Sequence, residues 1–316
     1  VDDHGEHVGG PMYAIKNGLG KHWQWLGTAF AIFGGLAGFG IGNMVQANGI
    51  SSAIHNAFGI PGWVTGVVLV IATGAVILGG IKRIGAVAEA LVPLMAISYV
   101  LCVAVILFVF ADKVPAAFAL IVEQAFTPTA ATGGFIGSTV WAAMRYGVAR
   151  GIFSNEAGLG TAGIAQAAGT TSDPVRSGLI GMMGTFIDTL IVCSMTGLLI
   201  VASGVWTGGQ SGATLTSLAF QAAMGDFGKY LLAAELAIFS YTTLLGWSYY
   251  GEKCWGYLVG TRCETPYRVL WTLLVLVGAL AQLDFIWLVS DTMNAFMAIP
   301  NLIALLVLAP VVVKLT

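Results

Sequence analysis

Two consecutive hydroxyls, Thr242 and Thr243, lie inside an otherwise apolar stretch of this chain. Threonine offers a neutral, hard oxygen, which suits a monovalent cation better than a proton; in a membrane helix it often simply bonds back to a carbonyl of its own helix. Trp247 follows Thr243 by four residues and so shares its helix face. Gln46, much earlier, carries an amide that can donate to and accept from a zwitterion, or else bond a neighbouring helix. The run Arg150 to Gly169 places Phe153, Ser154, Asn155 and Glu156 just ahead of Gly158 and Gly160. Glycine disfavours a helix interior, while serine and asparagine compete for backbone hydrogen bonds. The cluster predicts a break over about residues 153–160. Phe153 at its lip would cap a small ligand, Ser154 and Asn155 would answer freed backbone groups, and Glu156 would anchor the turn with Arg150 as its partner.

The elements that must hold these residues are membrane helices. The chain has 316 residues, 57% hydrophobic and only 9% charged, with mean hydropathy +0.87; soluble proteins carry about 25% charged residues. No Asp, Glu, Lys or Arg occurs from Trp23 to Ile81, nor from Ala90 to Ala111. Such runs exceed the roughly 20 residues that cross a bilayer. Eight spans are predicted, at about 23–47, 63–80, 86–110, 136–169, 178–203, 230–250, 269–283 and 285–313. The fourth is the broken one. The last carries Pro300, but splitting it there leaves a piece too short to cross, so it reads as one kinked helix. Polar connections are predicted over 48–62, at Lys82-Arg83, and over 111–135, 204–228 and 251–267.

Irregular backbone inside a bilayer is tolerated where protein buries it or a watery cavity faces it, and secondary transporters use such breaks to hold substrate and ions. The competing reading is a cytoplasmic loop between two ordinary helices. Gly34, Gly38 and Gly42 recur every four residues and let a neighbouring backbone come close. Asp188 is the single charge of the fifth span, and pairing with Arg145 or Arg150 is its simplest role. Enzyme chemistry has little support: the four histidines fall within the first 55 residues, no P-loop occurs, and the four cysteines lack metal-ligand spacing. The net charge of −2 gives nucleic acid no footing. With the N-terminal segment in the cytoplasm, Lys82, Arg83, Arg176, Lys253, Arg262, Arg268 and Lys314 are cytoplasmic too, and only Lys113 and Lys229 fall outside. This satisfies the positive-inside rule and puts the C-terminus in the cytoplasm of a multi-pass cell-membrane protein.

Seven stretches are shared with a known family: GGPMY (Gly9 to Tyr13), FGIGNMVQ (Phe39 to Gln46), VILGGIKRIG (Val76 to Gly85), FTPTAATGGF (Phe126 to Phe135), ARGIFSNEAGLG (Ala149 to Gly160), GWSYYGEK (Gly246 to Lys253) and MAIPNLIALL (Met297 to Leu306). In order and across essentially the whole chain, they resemble the alanine/glycine:cation symporter family. The resemblance implies an all-α, LeuT-type fold of two inverted repeats, in which the eight spans are core helices three to ten and the break falls in the sixth. It also implies that the family's broken first helix and the helix after it precede Val1, so that residues 1–316 are one transmembrane transporter domain lacking its first two core helices.

By the same resemblance, Gln46, Phe153, Ser154, Asn155, Thr243 and Trp247 contact substrate. Thr242 and Thr243 bind the metal ion, sodium, whose remaining oxygens come from the missing helix. The implied function is secondary active import of small neutral amino acids, alanine and glycine, coupled to sodium by alternating access, with no cofactor. A glutamine or other amino-acid carrier driven by protons is the alternative within transport. An ion channel is the alternative from another class.

Overall fold

Residues 5–126, 140–210, 212–281 and 284–315 are described by a computed structural model. Helices satisfy every backbone amide within one segment, which is what an apolar chain in lipid requires, and all regular structure among the described residues is helical. The order is α1 (Pro11–Gly18), α2 (Gln24–Ala37), a π-helical stretch Gly38–Met44, α3 (Val45–Phe58), α4 (Gly62–Ile77), α5 (Gly80–Val109), α6 (Val114–Phe126) and α7 (Val140–Asn155). There follow α8 (Thr161–Ala167), α9 (Pro174–Thr185), a second π-helical stretch Phe186–Cys193, α10 (Ser194–Ser203), α11 (Gly212–Met224), α12 (Asp226–Val259), α13 (Glu264–Leu280) and α14 (Asp284–Leu315). Among the described residues six helical stretches are long and apolar enough to cross a membrane: Lys21–Phe58, Gly80–Val109, Pro174–Ser203, Asp226–Val259, Thr261–Leu280 and Ile286–Lys314. Gly62–Ile77 and Val114–Gln124 are shorter apolar helices. Side chains such as Phe108, 83% exposed, and Leu306, 77% exposed, have the outward apolar faces of a protein solvated by lipid. The chain is a polytopic membrane protein.

Several boundaries differ from the sequence reading, each for a visible reason. Asn48 to Phe58 is helix, not connection; Asn48 is held there because its Nδ2 donates to Gly278 O at 3.3 Å and Ala281 O at 2.9 Å. Lys82 and Arg83 lie within α5, and Arg83 Nη1 donates to Ala75 O at 2.7 Å near the end of α4, a basic cap on free carbonyls. The expected connections over 111–135 and 204–228 contain α6 and α11, and Lys253 falls inside α12. Most of the FTPTAATGGF motif lies outside the described residues. The last stretch continues through Pro300 as one helix.

The chain forms two compact units: Val1–Val92, Glu156–Met183 and Ala237–Thr316 make the first, Pro93–Asn155 and Gly184–Leu236 the second. In the first, α13 packs on α3, α4 and the first π stretch, and α14 packs on α2. Asn43 Nδ2 donates to Trp271 O at 2.8 Å, so two asparagines, Asn43 and Asn48, tie one helix to carbonyls along α13. The glycine face of α2 and the π stretch accepts side chains rather than a second backbone. Gly34 faces Cys254 Sγ at 3.1 Å from its ideal Cβ position, and Gly42 abuts Trp247. Two helix backbones do come close in this unit at Gly278, where an added Cβ would meet Met44 Cα at 2.5 Å and Met44 O at 2.8 Å. Gly278→Ala is therefore expected to lower stability by about 1–3 kcal/mol. Gly256→Ala, whose Cβ meets nothing within 4 Å, should be nearly neutral in the same detergent melting assay. Equal midpoints would refute the close-packing account.

In the second unit α10 packs on α6 and α11, and α7 on the second π stretch. Val103, Ile106, Leu199 and Phe220 are fully buried there. The Tyr99 hydroxyl is 2.6 Å from Thr196 Oγ1. Both π stretches share a device. Gln46 Nε2 donates to Ile41 O at 3.0 Å and Ser194 Oγ to Thr189 O at 3.1 Å. In each case a side chain just past the stretch reaches the carbonyl five residues back, where the widened turn loosens the α ladder.

Candidate functional site

The break is real and shorter than expected. Phe153, Ser154 and Asn155 are still helical at the end of α7; the chain leaves the helix over 156–160 and re-enters it at Thr161. Three of those five residues have positive φ: Glu156 at 56°, Gly158 at 83° and Gly160 at 96°. Glycine takes that region freely, but glutamate does so at a cost of order 1–3 kcal/mol. Something must hold Glu156 there. Its Oε1 accepts Trp247 Nε1–H at 2.7 Å, and its Oε2 accepts the Thr161 hydroxyl at 2.5 Å. Asn301 Nδ2 donates to Gly158 O at 2.9 Å, answering a carbonyl the broken helix frees. Gly160 has no room for a side chain: its Cβ would come within 2.9 Å of Phe30 and 3.0 Å of Asn301.

Glu156 thus anchors the turn through Trp247 and Thr161. The Arg150 guanidinium lies over the Phe153 ring, 5.7 Å from its centroid. Ser154 and Asn155 also reach back from the end of α7 to the second π stretch. Ser154 Oγ lies 2.8 Å from each carboxylate oxygen of Asp188, and Asn155 Nδ2 donates to Thr189 Oγ1 at 2.8 Å. Thr189 Oγ1 in turn donates to Asp188 Oδ2 at 3.3 Å. The donors run one way, from Asn155 through Thr189 to Asp188, with Ser154 converging on the same carboxylate. The helix before the break therefore ends on a polar group fed by hydroxyls. Among the described residues Asp188 has hydroxyl partners, because α7 packs on the second π stretch and brings Ser154 opposite it. The Arg145 side chain lies outside the described residues.

The remaining predicted residues belong to the first unit. Thr242 and Thr243 both donate to Phe239 O, at 2.9 and 3.0 Å. A hydroxyl with its proton on a carbonyl keeps its lone pairs, so each oxygen can still accept a cation. Gln46 is half-buried with its Nε2 committed to Ile41 O. Trp247 is 2% exposed, edge-on to Tyr250 at 5.6 Å between centroids, and packed on Gly42. The structure brings Ser154 and Asn155 together with Asp188, and Trp247 together with Glu156. Thr161, Thr189 and Asn301 escaped the sequence reading. Their hydroxyls and amide look ordinary in sequence, and only the fold shows that they complete hydrogen bonds at the break.

The whole chain, residues 1–316, matches the sodium:alanine symporter family. It is 48% identical to an uncharacterised transporter of Haemophilus influenzae, over 100% of this chain and 69% of that protein. It is also 48% identical to the sodium/alanine symporter AgcS of Methanococcus maripaludis, over 100% of this chain and 70% of that protein. A Bacillus subtilis protein provisionally named as a sodium/proton-dependent alanine carrier, YrbD, is 35% identical over 98% of this chain and 66% of its own length. With the match running from first residue to last, and relatives near half identity across it, the chain belongs to the sodium:alanine symporter family.

Proposed function

We propose that the protein imports small neutral amino acids, alanine and glycine, together with sodium by alternating access in a LeuT-type fold. The observation that carries this reading is the non-helical turn Glu156–Gly160 between α7 and α8, held open by Trp247, Thr161 and Asn301. A break so supported holds irregular backbone in a fixed shape, as a site for a zwitterion requires and an ordinary loop between spans does not. Ser154 and Asn155 at the end of α7 offer polar contact, with Phe153 limiting ligand size. Gln46 offers its amide oxygen, Trp247 stiffens the turn from behind, and Thr242 and Thr243 supply neutral oxygens to sodium. Coupling follows if sodium and amino acid together favour an occluded state more than either alone. The N-terminal segment and the C-terminus face the cytoplasm in this reading.

The hydroxyl pair gives the test. Thr243→Val keeps the side-chain shape and removes the oxygen, so alanine uptake should need roughly tenfold more sodium if a coordinating contact of about 1.4 kcal/mol is lost. Uptake is measured against sodium concentration in proteoliposomes, with glycine and glutamine as competitors. An unchanged sodium dependence removes Thr243 from the ion site. Uptake that ignores sodium and follows only a pH gradient defeats the sodium reading, and current without any amino acid would favour a channel.

A further inference from the structure

One buried acid takes no part in the site described above. Glu235 lies in α12, in a membrane-long helix, and is 5% exposed. Its Oε2 is buried without a hydrogen-bond partner. On α5 the Ser98 hydroxyl is within hydrogen-bonding reach of it, and the Tyr99 hydroxyl and Cys102 thiol lie near enough to feel its charge. Among the described residues no lysine, arginine or histidine pairs with it.

The protons of those hydroxyls are already spent. Ser98 Oγ donates to Leu94 O at 2.8 Å, with Met95 O at 3.1 Å. Thr196 Oγ1 donates to Val192 O at 2.7 Å, so in the 2.6 Å Tyr99–Thr196 contact it is tyrosine that donates. Toward Glu235, Ser98 therefore presents a lone pair. An ionised carboxylate needs donors and finds an acceptor; a carboxylic acid, with one O–H to give, finds what it needs. A lone charge in a membrane helix is otherwise an expense without a purpose.

We propose that Glu235 is a proton-binding site of the carrier, loading one proton onto its carboxylate and releasing it once per transport cycle. The role in transport rests on the symporter reading above; the site itself rests on the local geometry. The proton comes from and returns to bulk water, so no other reactant is involved. It would make the protein respond to both sodium and protons through separate groups, Thr242 and Thr243 for the first and Glu235 for the second.

Two measurements test it. In infrared difference spectra of the purified protein, the wild type should show a carbonyl stretch of a protonated carboxylic acid that E235Q lacks and that changes when sodium and alanine are added. In proteoliposomes with a lumenal pH dye, sodium-driven alanine uptake should acidify the lumen with the wild type and with E235D. With E235Q, uptake should persist and the acidification should be lost. Acidification by E235Q equal to wild type overturns the proposal. So does a wild-type spectrum without the band, or a band that never responds to ligands, which would mark a fixed structural acid. A shifted sodium dependence in E235Q with unchanged proton movement would identify a cation ligand instead, and also overturns it. If the wild type takes up no alanine at all, the transport reading falls, while the infrared band still decides whether Glu235 binds a proton.

Discussion

Glu156→Leu is expected to abolish sodium-driven alanine uptake and to cost roughly 3–6 kcal/mol of stability, two charge-assisted hydrogen bonds at about 1.5–3 kcal/mol each. The carboxylate accepts from Trp247 at 2.7 Å and Thr161 at 2.5 Å. Leucine leaves the indole N–H of a side chain only 2% exposed without its partner, and keeps the strain of φ 56° with nothing to offset it. The turn should then collapse toward continuous helix, closing the backbone groups that the break sets free. Glu156→Gln is the control. Its carbonyl still accepts from Trp247, and the Thr161 hydroxyl can rotate to accept from its amide, so much of the uptake should survive. Wild-type uptake and an unchanged melting midpoint in Glu156→Leu would show that the turn does not depend on this side chain.

The second large effect is expected at Lys253. Its Nζ lies 2.9 Å from Glu6 Oε2, 3.2 Å from Glu264 Oε1 and 3.9 Å from Glu252 Oε1, while its own side chain is 2% exposed. Arg268 holds two of these acids as well, with Nε at 2.5 Å and Nη2 at 2.8 Å from the Glu252 carboxylate and Nη2 at 3.5 Å from Glu264 Oε2. Three carboxylates thus share two cations. Lys253→Met fills similar volume but leaves Glu252 and Glu264, 5% and 12% exposed, with one cation between them. Removing one partner of a buried ion pair costs about 3–5 kcal/mol, so the variant should melt well below wild type or fail to accumulate in the membrane. Glu6 is 40% exposed, and water relieves its loss, so Glu6→Gln should cost about 1 kcal/mol or less. Equal midpoints for the two variants would contradict the central place given to Lys253.

How far the sequence could be read follows from what each feature rests on. Membrane helices were legible because they depend on composition, a local property. The break near Gly158 was legible too, since glycine and serine act on their own backbone. The bond that Glu156 accepts from Trp247, ninety-one positions away, was not. Lys253 and Arg268, at or near the ends of the expected 251–267 connection, read as loop charges because charge in an apolar chain suggests water. The fold instead matches them with Glu252 and Glu264 inside helices. Thr242 and Thr243 show the opposite case, where the bond each makes is the commonplace one to its own helix. The lone pairs left over carry the proposal, and no local pattern distinguishes them from idle hydroxyls.

The π-helical stretch Gly38–Met44 sets the phase of everything after it. Val45 N–H reaches Gly40 O, five residues back, so the stretch holds more chain per turn than an α-helix would. Each α-helical residue advances about 100° and 1.5 Å. Letting this turn narrow to α with all its residues kept would rotate α3 by about that angle against α13. Asn48 would swing away from the carbonyls of Gly278 and Ala281 that it now holds. Such a helix would be just as apolar and just as able to span a bilayer, yet it would turn its asparagine toward lipid. The width of this one turn therefore decides which face of α3 meets α13.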